Sequence, residues 1–152
     1  MGHGTRNQGS LTVLNNRAAS SLGRIWHSSH LILCLLQVAA VSWVLLTPDP
    51  YALVRGTSLG WLQSVSDLLQ HTLVFTVLSA TVFSLCVAIF GEFPPVAVFS
   101  MLGYCLFVEG LQAFVPGRNC DPRDALANVA GFVLGLACVR VMAMLRPAPA
   151  RA

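Results

Sequence analysis

A polar stretch between two apolar runs gathers side chains of this sequence that could do chemistry. It covers residues 108–131 and reads VEGLQAFVPGRNCDPRDALANVAG. The whole chain has 9 Lys and Arg and 6 Asp and Glu residues, so charge is scarce and its concentration here is informative. The residues of interest are Glu109, Gln112, Arg118, Asp121, Arg123, Asp124 and Asn128. Arginine beside amides suits the binding of an anion, and a carboxylate near a histidine suits proton transfer.

A second polar pair precedes this stretch in SDLLQHTLVF, residues 66–75. Asp67 and His71 lie one helical turn apart, so on a helix they share one face. Histidine is the side chain best suited to carry a proton near neutral pH. For Asp67 and Asp124 the simpler alternative is helix capping, because the helix dipole favours a carboxylate in the first turn.

Glu109 is harder to explain by local structure alone. It lies near the end of an apolar run, where the helix dipole disfavours an anion. An unpaired carboxylate at that depth costs several kcal/mol. We therefore expect a partner for it, and the choices are Arg118, Arg123 and His71. A purely structural bridge from Glu109 to Arg118, closing the loop between them, is the alternative to ligand binding or proton chemistry.

The composition places these residues in a membrane protein. Of the residues, 55% are hydrophobic and 10% are charged, and the mean hydropathy is +0.70. Soluble domains carry about 25% charged residues, so this chain cannot cover a water-facing surface. The length allows one domain. The net charge of +3 comes from arginine alone and reports orientation and lipid contact, which excludes nucleic-acid binding as the expected role.

Four apolar runs are long enough to span a bilayer, which requires about 20 residues. We predict spans at 25–46, 67–90, 95–114 and 122–145. A disordered polar and basic tail at 1–24 precedes the transmembrane domain of residues 25–146, and a short tail at 147–152 follows it. A cleaved signal peptide is the alternative for the first run, but no clear small-residue cleavage site follows it, so we favour a retained anchor.

Proline and glycine mark the ends of these spans. TPDP (47–50), GEFPP (91–95) and VPG (115–117) stop the first three, because proline cannot continue a helix. In DPRD (121–124), Asp121 is the expected N-cap of the fourth span and Pro122 its first residue. The segment 51–66 between the first two spans is expected at the membrane interface, where Tyr51 and Trp61 would anchor it.

The antiparallel order of the spans brings three polar helix ends to one membrane face. These ends carry Asp67, His71, Glu109, Gln112, Asp124 and Asn128, and the loop at the same face carries Arg118 and Arg123. Gly131 and Gly135 continue the Asn128 face, and such small residues allow a second helix to approach closely. We therefore predict an all-α bundle of four transmembrane helices with a polar cluster at one membrane face.

The arginines also predict the orientation of this bundle. With four spans both termini lie on one side, and the tails carry more arginines than the loops on the other side. The tail residues are Arg6, Arg17, Arg24, Arg146 and Arg151, and the loop residues are Arg55, Arg118 and Arg123. The positive-inside rule then places both termini in the cytoplasm and the polar cluster at the extracytoplasmic face of the inner membrane.

The cysteines and the metal-binding residue types point to no cofactor. The 5 cysteines form neither a CxxC pair nor a zinc spacing, and four of them lie in apolar runs where Cys acts as a small hydrophobe. Cys120 lies in the polar stretch and is expected to be exposed. A minor alternative is a divalent metal, for which carboxylate-rich ligands favour Mg or Mn. Its ligands would be Asp67, His71, Glu109 and Asp124.

Two stretches resemble the signature of the VanZ-like family of small polytopic bacterial membrane proteins. SDLLQHTLVF is similar to its D-x-L-x-H segment, and EGLQAFVPGRNCDPRDALANVAGFVLG (109–135) to its E-x-x-Q…R…D-x-x-x-N-x-x-G segment. The chain departs from the family at Gln70, where a charged or small residue is more usual, and in its longer N-terminal tail. The resemblance implies a cell-envelope protein related to one that raises resistance to teicoplanin. It selects Asp67, His71, Glu109, Gln112, Arg118, Asp124 and Asn128.

Two classes of function fit these residues. The first is a binding protein for an anionic or lipid-linked envelope ligand, held by Gln112, Arg118, Arg123, Asp124 and Asn128. The second is a membrane-embedded hydrolase or transferase acting on a lipid-linked substrate, with His71 and Glu109 as the acid–base pair, Asp67 as a further candidate and Arg118 stabilising charge. Neither GxSxG nor HExxH is present, which counts against the second.

Overall fold

Within the residues described by the computed structural model, 6–145, the chain is all-helical, and the side chains are described from residue 26. The four helices are α1 (Arg6–Leu46), α2 (Asp67–Phe90), α3 (Pro95–Gln112) and α4 (Pro122–Leu145). A short 3-10 helix, Gly60–Ser64, lies between α1 and α2. Each α-helix contains a segment long and apolar enough to cross a membrane, beginning at Trp26 in α1. The predicted four-helix membrane bundle is confirmed.

The helices begin and end close to the glycine, proline and capping residues that predict their ends. Gly91 adopts a left-handed backbone (φ 74°) at the end of α2, and its N–H bonds to the Val87 carbonyl. At the start of α4, the Oδ1 atom of Asp121 accepts a hydrogen bond of 2.8 Å from the backbone N–H of Arg123, as an N-cap should. The third helix ends at Gln112, two residues before the predicted end of the span.

Helix α1 extends back to Arg6 and includes residues 6–24 of the stretch that the sequence predicts to be a disordered tail. No proline interrupts this stretch, and adding residues to an existing helix costs far less than nucleating one. The apolar span therefore provides the nucleus from which the helix continues. Residues 1–5 and 146–152, which include the predicted C-terminal tail, lie outside the described part of the chain.

Helices α2 and α4 form the closest pair in the bundle. Two glycines of α4 make this approach possible. A Cβ atom on Gly131 would collide with the Thr72 carbonyl oxygen, and one on Gly135 would lie 2.5 Å from the Thr76 carbonyl oxygen. The small-residue face predicted from sequence is thus the packing face of α4, and it brings Asn128, one turn earlier, against α2.

The buried residues change from apolar to polar along the helix axes. Phe75, Leu78, Phe83 and Phe132 form the apolar core together with residues of α3. Large apolar side chains on the outside of all four helices are exposed, as expected for surfaces that face lipid. Toward the start of α2 and α4 and the end of α3, the buried residues become polar.

Candidate functional site

The polar cluster lies inside the bundle, where three helices meet. His71 of α2, Glu109 and Gln112 of α3 and Asn128 of α4 are 3%, 2%, 1% and 0% exposed. This is the juxtaposition that the antiparallel order of the spans predicted. None of these four side chains faces the lipid, and burying so many polar groups in a membrane protein is costly unless they bond to one another or serve a ligand.

A chain of hydrogen bonds orients His71. The Nδ2 group of Asn128 donates to the Cys105 carbonyl oxygen over 3.1 Å, so its Oδ1 atom points the other way. Oδ1 lies 2.8 Å from Nδ1 of His71. Because an amide oxygen can only accept, Nδ1 of His71 must carry the proton. In the neutral ring, Nε2 is therefore the nitrogen without a proton.

Nε2 of His71 is directed away from this network. It makes no hydrogen bond within residues 26–145, and it is not among the fully buried polar atoms that lack a partner. His71 also lines a cavity, described below. His71 thus has one ring nitrogen held by α4 and also forms part of the cavity wall.

Glu109 does not form the arginine bridge that was expected from sequence. Its Oε1 atom accepts a hydrogen bond of 2.9 Å from the backbone N–H of Asp121, and the ion pair found within residues 26–145 is a different one, between Arg55 and Asp49. The Glu109 carboxyl interacts electrostatically with His71, the third expected partner. The loop backbone thus satisfies one carboxyl oxygen of Glu109 in place of a guanidinium.

Two atoms of this region remain without hydrogen-bond partners among the described residues. They are Oε2 of Glu109 and Nε2 of Gln112, one acceptor and one donor on the same face of α3. Asp124 is half-buried beside them and interacts electrostatically with His71, Asp67 and Arg118. The cluster therefore brings several ionisable groups together and is only partly satisfied by the protein itself.

Arg118 binds the end of α1 rather than a carboxylate. Its Nε and Nη2 groups donate to the carbonyl oxygens of Thr47 and Val44, each over 3.2 Å. The last carbonyl groups of a helix lack partners within the helix and form the negative end of its dipole, so a guanidinium is favoured there. This contact connects the loop after α3 to the first helix, which the sequence did not predict.

Arg118 also lines a cavity of about 470 Å³ between the end of α1, the segment after it and the start of α2. Its polar wall consists of Tyr51, Asp67, Gln70, His71 and Arg118. The other lining residues are apolar and include Val44, Val54, Leu62 and Val74. We call this the polar-end cavity. It presents a guanidinium, an imidazole and a carboxylate at one end of an otherwise apolar chamber.

The other predicted ligand contacts do not line this cavity. Gln112 and Asn128 are buried, Asp124 is half-buried, and Arg123 is exposed without an ion pair among the described residues. Direct contact of these four with a ligand stays a prediction. What the structure adds is that Asn128 acts on the cavity through the His71 ring.

Sequence reasoning missed the part of the cavity wall that is built by Gln70 and Tyr51. The Tyr51 hydroxyl lies 3.0 Å from Oε1 and 2.8 Å from Nε2 of Gln70. The same Nε2 donates to the carbonyl oxygens of Val65 and Leu62, over 2.8 and 3.1 Å. Gln70, the departure from the family pattern, thus ties the interfacial segment to α2. The available signal was a lone amide in an apolar helix, which must find partners when buried.

Side chains that can bind metals are not grouped in the described part of the chain, and the cysteines divide between buried and exposed positions. Within residues 26–145, no three His, Cys, Asp or Glu side chains are grouped so that they could hold a metal ion, and this includes the four residues considered from sequence. Cys34, Cys86 and Cys105 are buried, and Cys120 is exposed, as expected for its place in the polar loop.

Comparison with known proteins supports the resemblance described above. A family model described as VanZ/LLP1 matches residues 19–143, which is most of the chain. No curated protein and no solved structure gives a match.

Proposed function

This chain belongs to the VanZ/LLP1 family of proteins, and from that premise we propose that its polar-end cavity binds an anionic or lipid-linked ligand of the bacterial cell envelope. The chain is a multi-pass membrane protein. The proposal places it in the inner membrane with both termini in the cytoplasm, so that the cavity opens at the extracytoplasmic face. Binding there would contribute to tolerance of glycopeptide antibiotics.

The observation that carries this proposal is the distribution of polarity in the cavity. An arginine has five N–H donors, and Arg118 uses two of them on α1, which leaves donors for an anion. Its position is already held by those two bonds, so little side-chain entropy is lost when a ligand binds. The apolar walls around it suit the hydrocarbon part of a lipid rather than a water-soluble metabolite.

Asp67 refines the class of headgroup. It lines the same cavity as Arg118, so a bare anion would meet repulsion on one side. A phosphate that also carries hydroxyl groups, such as a glycerol or sugar phosphate, can place its phosphate on Arg118 and donate hydrogen bonds to Asp67. His71 adds Nε2 as a third contact, which accepts a hydrogen bond when the ring is neutral.

The availability of Nε2 also favours a second candidate, a membrane-embedded hydrolase or transferase. In that case His71 would exchange protons with a lipid-linked substrate, with Arg118 stabilising charge on a phosphoryl or acyl group. Glu109 interacts electrostatically with His71 and is the candidate partner for the second proton transfer. Asn128 would hold the ring in the productive tautomer.

A fluorescence experiment tests binding directly. Trp61 lines the cavity, so in a Trp26→Phe, Trp43→Phe background its emission reports the approach of a dansyl-labelled anionic phospholipid in vesicles of zwitterionic lipid. We expect Arg118→Gln to weaken binding roughly ten- to hundredfold, because a hydrogen bond to a charged group contributes roughly 1.5–3 kcal/mol. The matched control is Arg55→Gln, an exposed arginine of the same membrane face that does not line the cavity.

The outcomes separate the two candidates. Energy transfer that is the same in Arg118→Gln, Arg55→Gln and wild type would refute the binding site. Loss of binding in Arg118→Gln, with binding retained in His71→Ala, supports a binding protein. If His71→Ala keeps the ligand but abolishes its conversion, as followed by chromatography of the extracted lipid, the protein is an enzyme. Teicoplanin tolerance, measured at matched protein abundance, then tests the physiological role.

A further inference from the structure

A second cavity continues the first along the surface between α1 and α2. It has a volume of about 320 Å³ and is lined by Gln37, Val41, Leu73, Val74, Val77 and Leu78. Leu73 and Val74 line both cavities, so the two adjoin each other along α2. We propose that this α1–α2 groove holds the hydrocarbon chain of a lipid whose headgroup lies in the polar-end cavity. The inference rests on the proposed function and narrows its ligand to a membrane lipid.

The dimensions of the two walls agree with this assignment. On α2, the joined cavities extend from Asp67 to Leu78, which at 1.5 Å per residue is about 16 Å. On α1, Gln37 lies about 15 Å before Thr47, where Arg118 is bound. The hydrocarbon core of a bilayer is about 30 Å thick, so the groove reaches the middle of the membrane. That is the depth reached by the chains of one leaflet.

Along the two cavities the lining residues change from polar to apolar, as a lipid does from its headgroup to its hydrocarbon chain. Charged and hydrogen-bonding side chains are confined to the polar-end cavity, and the groove walls are aliphatic except for Gln37. A soluble anion would use the first cavity alone and have no use for the groove. A lipid uses both, with its headgroup at Arg118 and His71 and a chain beside Val74 and Leu78.

The groove is also open to the bilayer. Leu73 and Val77 are 53% and 56% exposed, so their side of α2 faces lipid. A chain can therefore enter sideways from the membrane without crossing water. Because a hydrocarbon chain moves from the apolar bilayer into an equally apolar groove, the groove adds little affinity of its own. Its role is to select a ligand that is anchored in the membrane and to align its headgroup with Arg118.

Photolabelling of the full-length protein in phosphatidylcholine vesicles tests the inference. The probe is a glycerol phosphate carrying one alkyl chain with a diazirine at its end, long enough to reach Gln37, and labelled residues are located by mass spectrometry. We expect labelling around Gln37, Val41 and Val77 to exceed that of Val133 and Leu134 roughly tenfold. Those two residues are similarly exposed, at 51% and 50%, on α4. Equal labelling of all exposed apolar residues would overturn the inference.

Variants separate this inference from the proposed function. Leu73→Trp obstructs the junction of the cavities from an exposed position, so folding is preserved, and it should abolish groove labelling. Val133→Trp on α4 is the control and should leave it unchanged. If anionic-lipid binding depends on Arg118 but labelling is evenly spread, the groove is refuted as the chain site and the headgroup site is supported. Groove labelling that Arg118→Gln does not reduce would refute the headgroup site and its link to the groove.

Discussion

The two ends of the bundle are stabilised by different interactions. At the polar end, His71, Glu109 and Asn128 are buried among hydrogen bonds, and some polar atoms there have no partner among the described residues. At the other end, which we call the aromatic end, the Phe83 ring packs against Phe93 and Phe132, with centroid distances of 5.6 and 5.9 Å. The same four helices thus carry one end built for packing and one that packing alone does not explain.

The proposed function accounts for this difference. Apolar packing dominates at the aromatic end, where Arg140 lies at the surface over the Phe93 ring. Apolar side chains could also pack at the polar end, and they would avoid the cost of burying a carboxylate and an imidazole. The ligand of the proposed function would account for the polar cluster that the chain instead keeps beside a cavity. The comparison leads to four predictions.

The largest effect is expected at the aromatic end. Phe83→Ala removes a fully buried ring and should lower the free energy of unfolding by about 3–5 kcal/mol, measured by thermal unfolding in detergent. The folded fraction should bind the dansyl lipid as wild type does. Phe107→Ala, at a lipid-exposed ring, is the control and should change stability little. Loss of lipid affinity in folded Phe83→Ala protein would contradict the separation of the two ends.

A smaller loss of stability with a specific chemical signature is expected at the polar end. Asn128→Leu leaves His71 Nδ1 without a partner and removes a second hydrogen bond to the Cys105 carbonyl, which should cost about 1–3 kcal/mol. The informative measurement is the ¹⁵N NMR spectrum of the His71 ring. Wild type should show the Nδ1-protonated tautomer when neutral, and the variant a mixture.

The control for this second prediction is Ser79→Ala. Ser79 is also completely buried, but its hydroxyl oxygen has no hydrogen-bond partner among the described residues, so its removal should not destabilise the protein. An unchanged His71 spectrum in Asn128→Leu would show that Asn128 does not set the tautomer.

The third prediction concerns the interfacial segment that closes the polar-end cavity. Gln70→Leu removes the bonds to Tyr51, Val65 and Leu62 and should cost about 1 kcal/mol. Hydrogen exchange of the backbone amides in residues 51–65 should become faster, whereas the helices stay protected. Gln63→Leu, at an exposed glutamine of the same segment, should leave exchange unchanged. Equal exchange in both variants would mean that other contacts hold the segment.

The smallest effect returns to the aromatic end. Arg140→Gln removes the cation 5.7 Å from the centre of the Phe93 ring and should lower stability by about 0.5–1 kcal/mol. Lipid binding should be unaffected, since Arg140 lies at the opposite end of α4 from Asn128. A change in lipid binding larger than the change in stability would require coupling between the ends.

The membrane topology was determined by local properties of the sequence. Hydropathy locates the four spans, and Pro95, Asp121 and Gly91 mark helix ends because their backbone and capping preferences act within a few residues. Gly131 and Gly135 predict a close helix contact for the same reason, since a missing Cβ is a property of the residue itself. The antiparallel order of the spans then places His71 near Glu109 and Asn128 without further information.

The partners of individual side chains were decided by the tertiary structure. Several acceptors of comparable energy were open to Arg118. It bonds to the C-terminal end of α1, far away in the sequence, rather than to Glu109. The link from Tyr51 to Gln70, the proton on His71 Nδ1 and the groove between α1 and α2 likewise depend on which surfaces meet. Composition and periodicity describe what each helix face can bind. Only the packed bundle, in which each polar group has a few neighbours within hydrogen-bond distance, selects one partner from several.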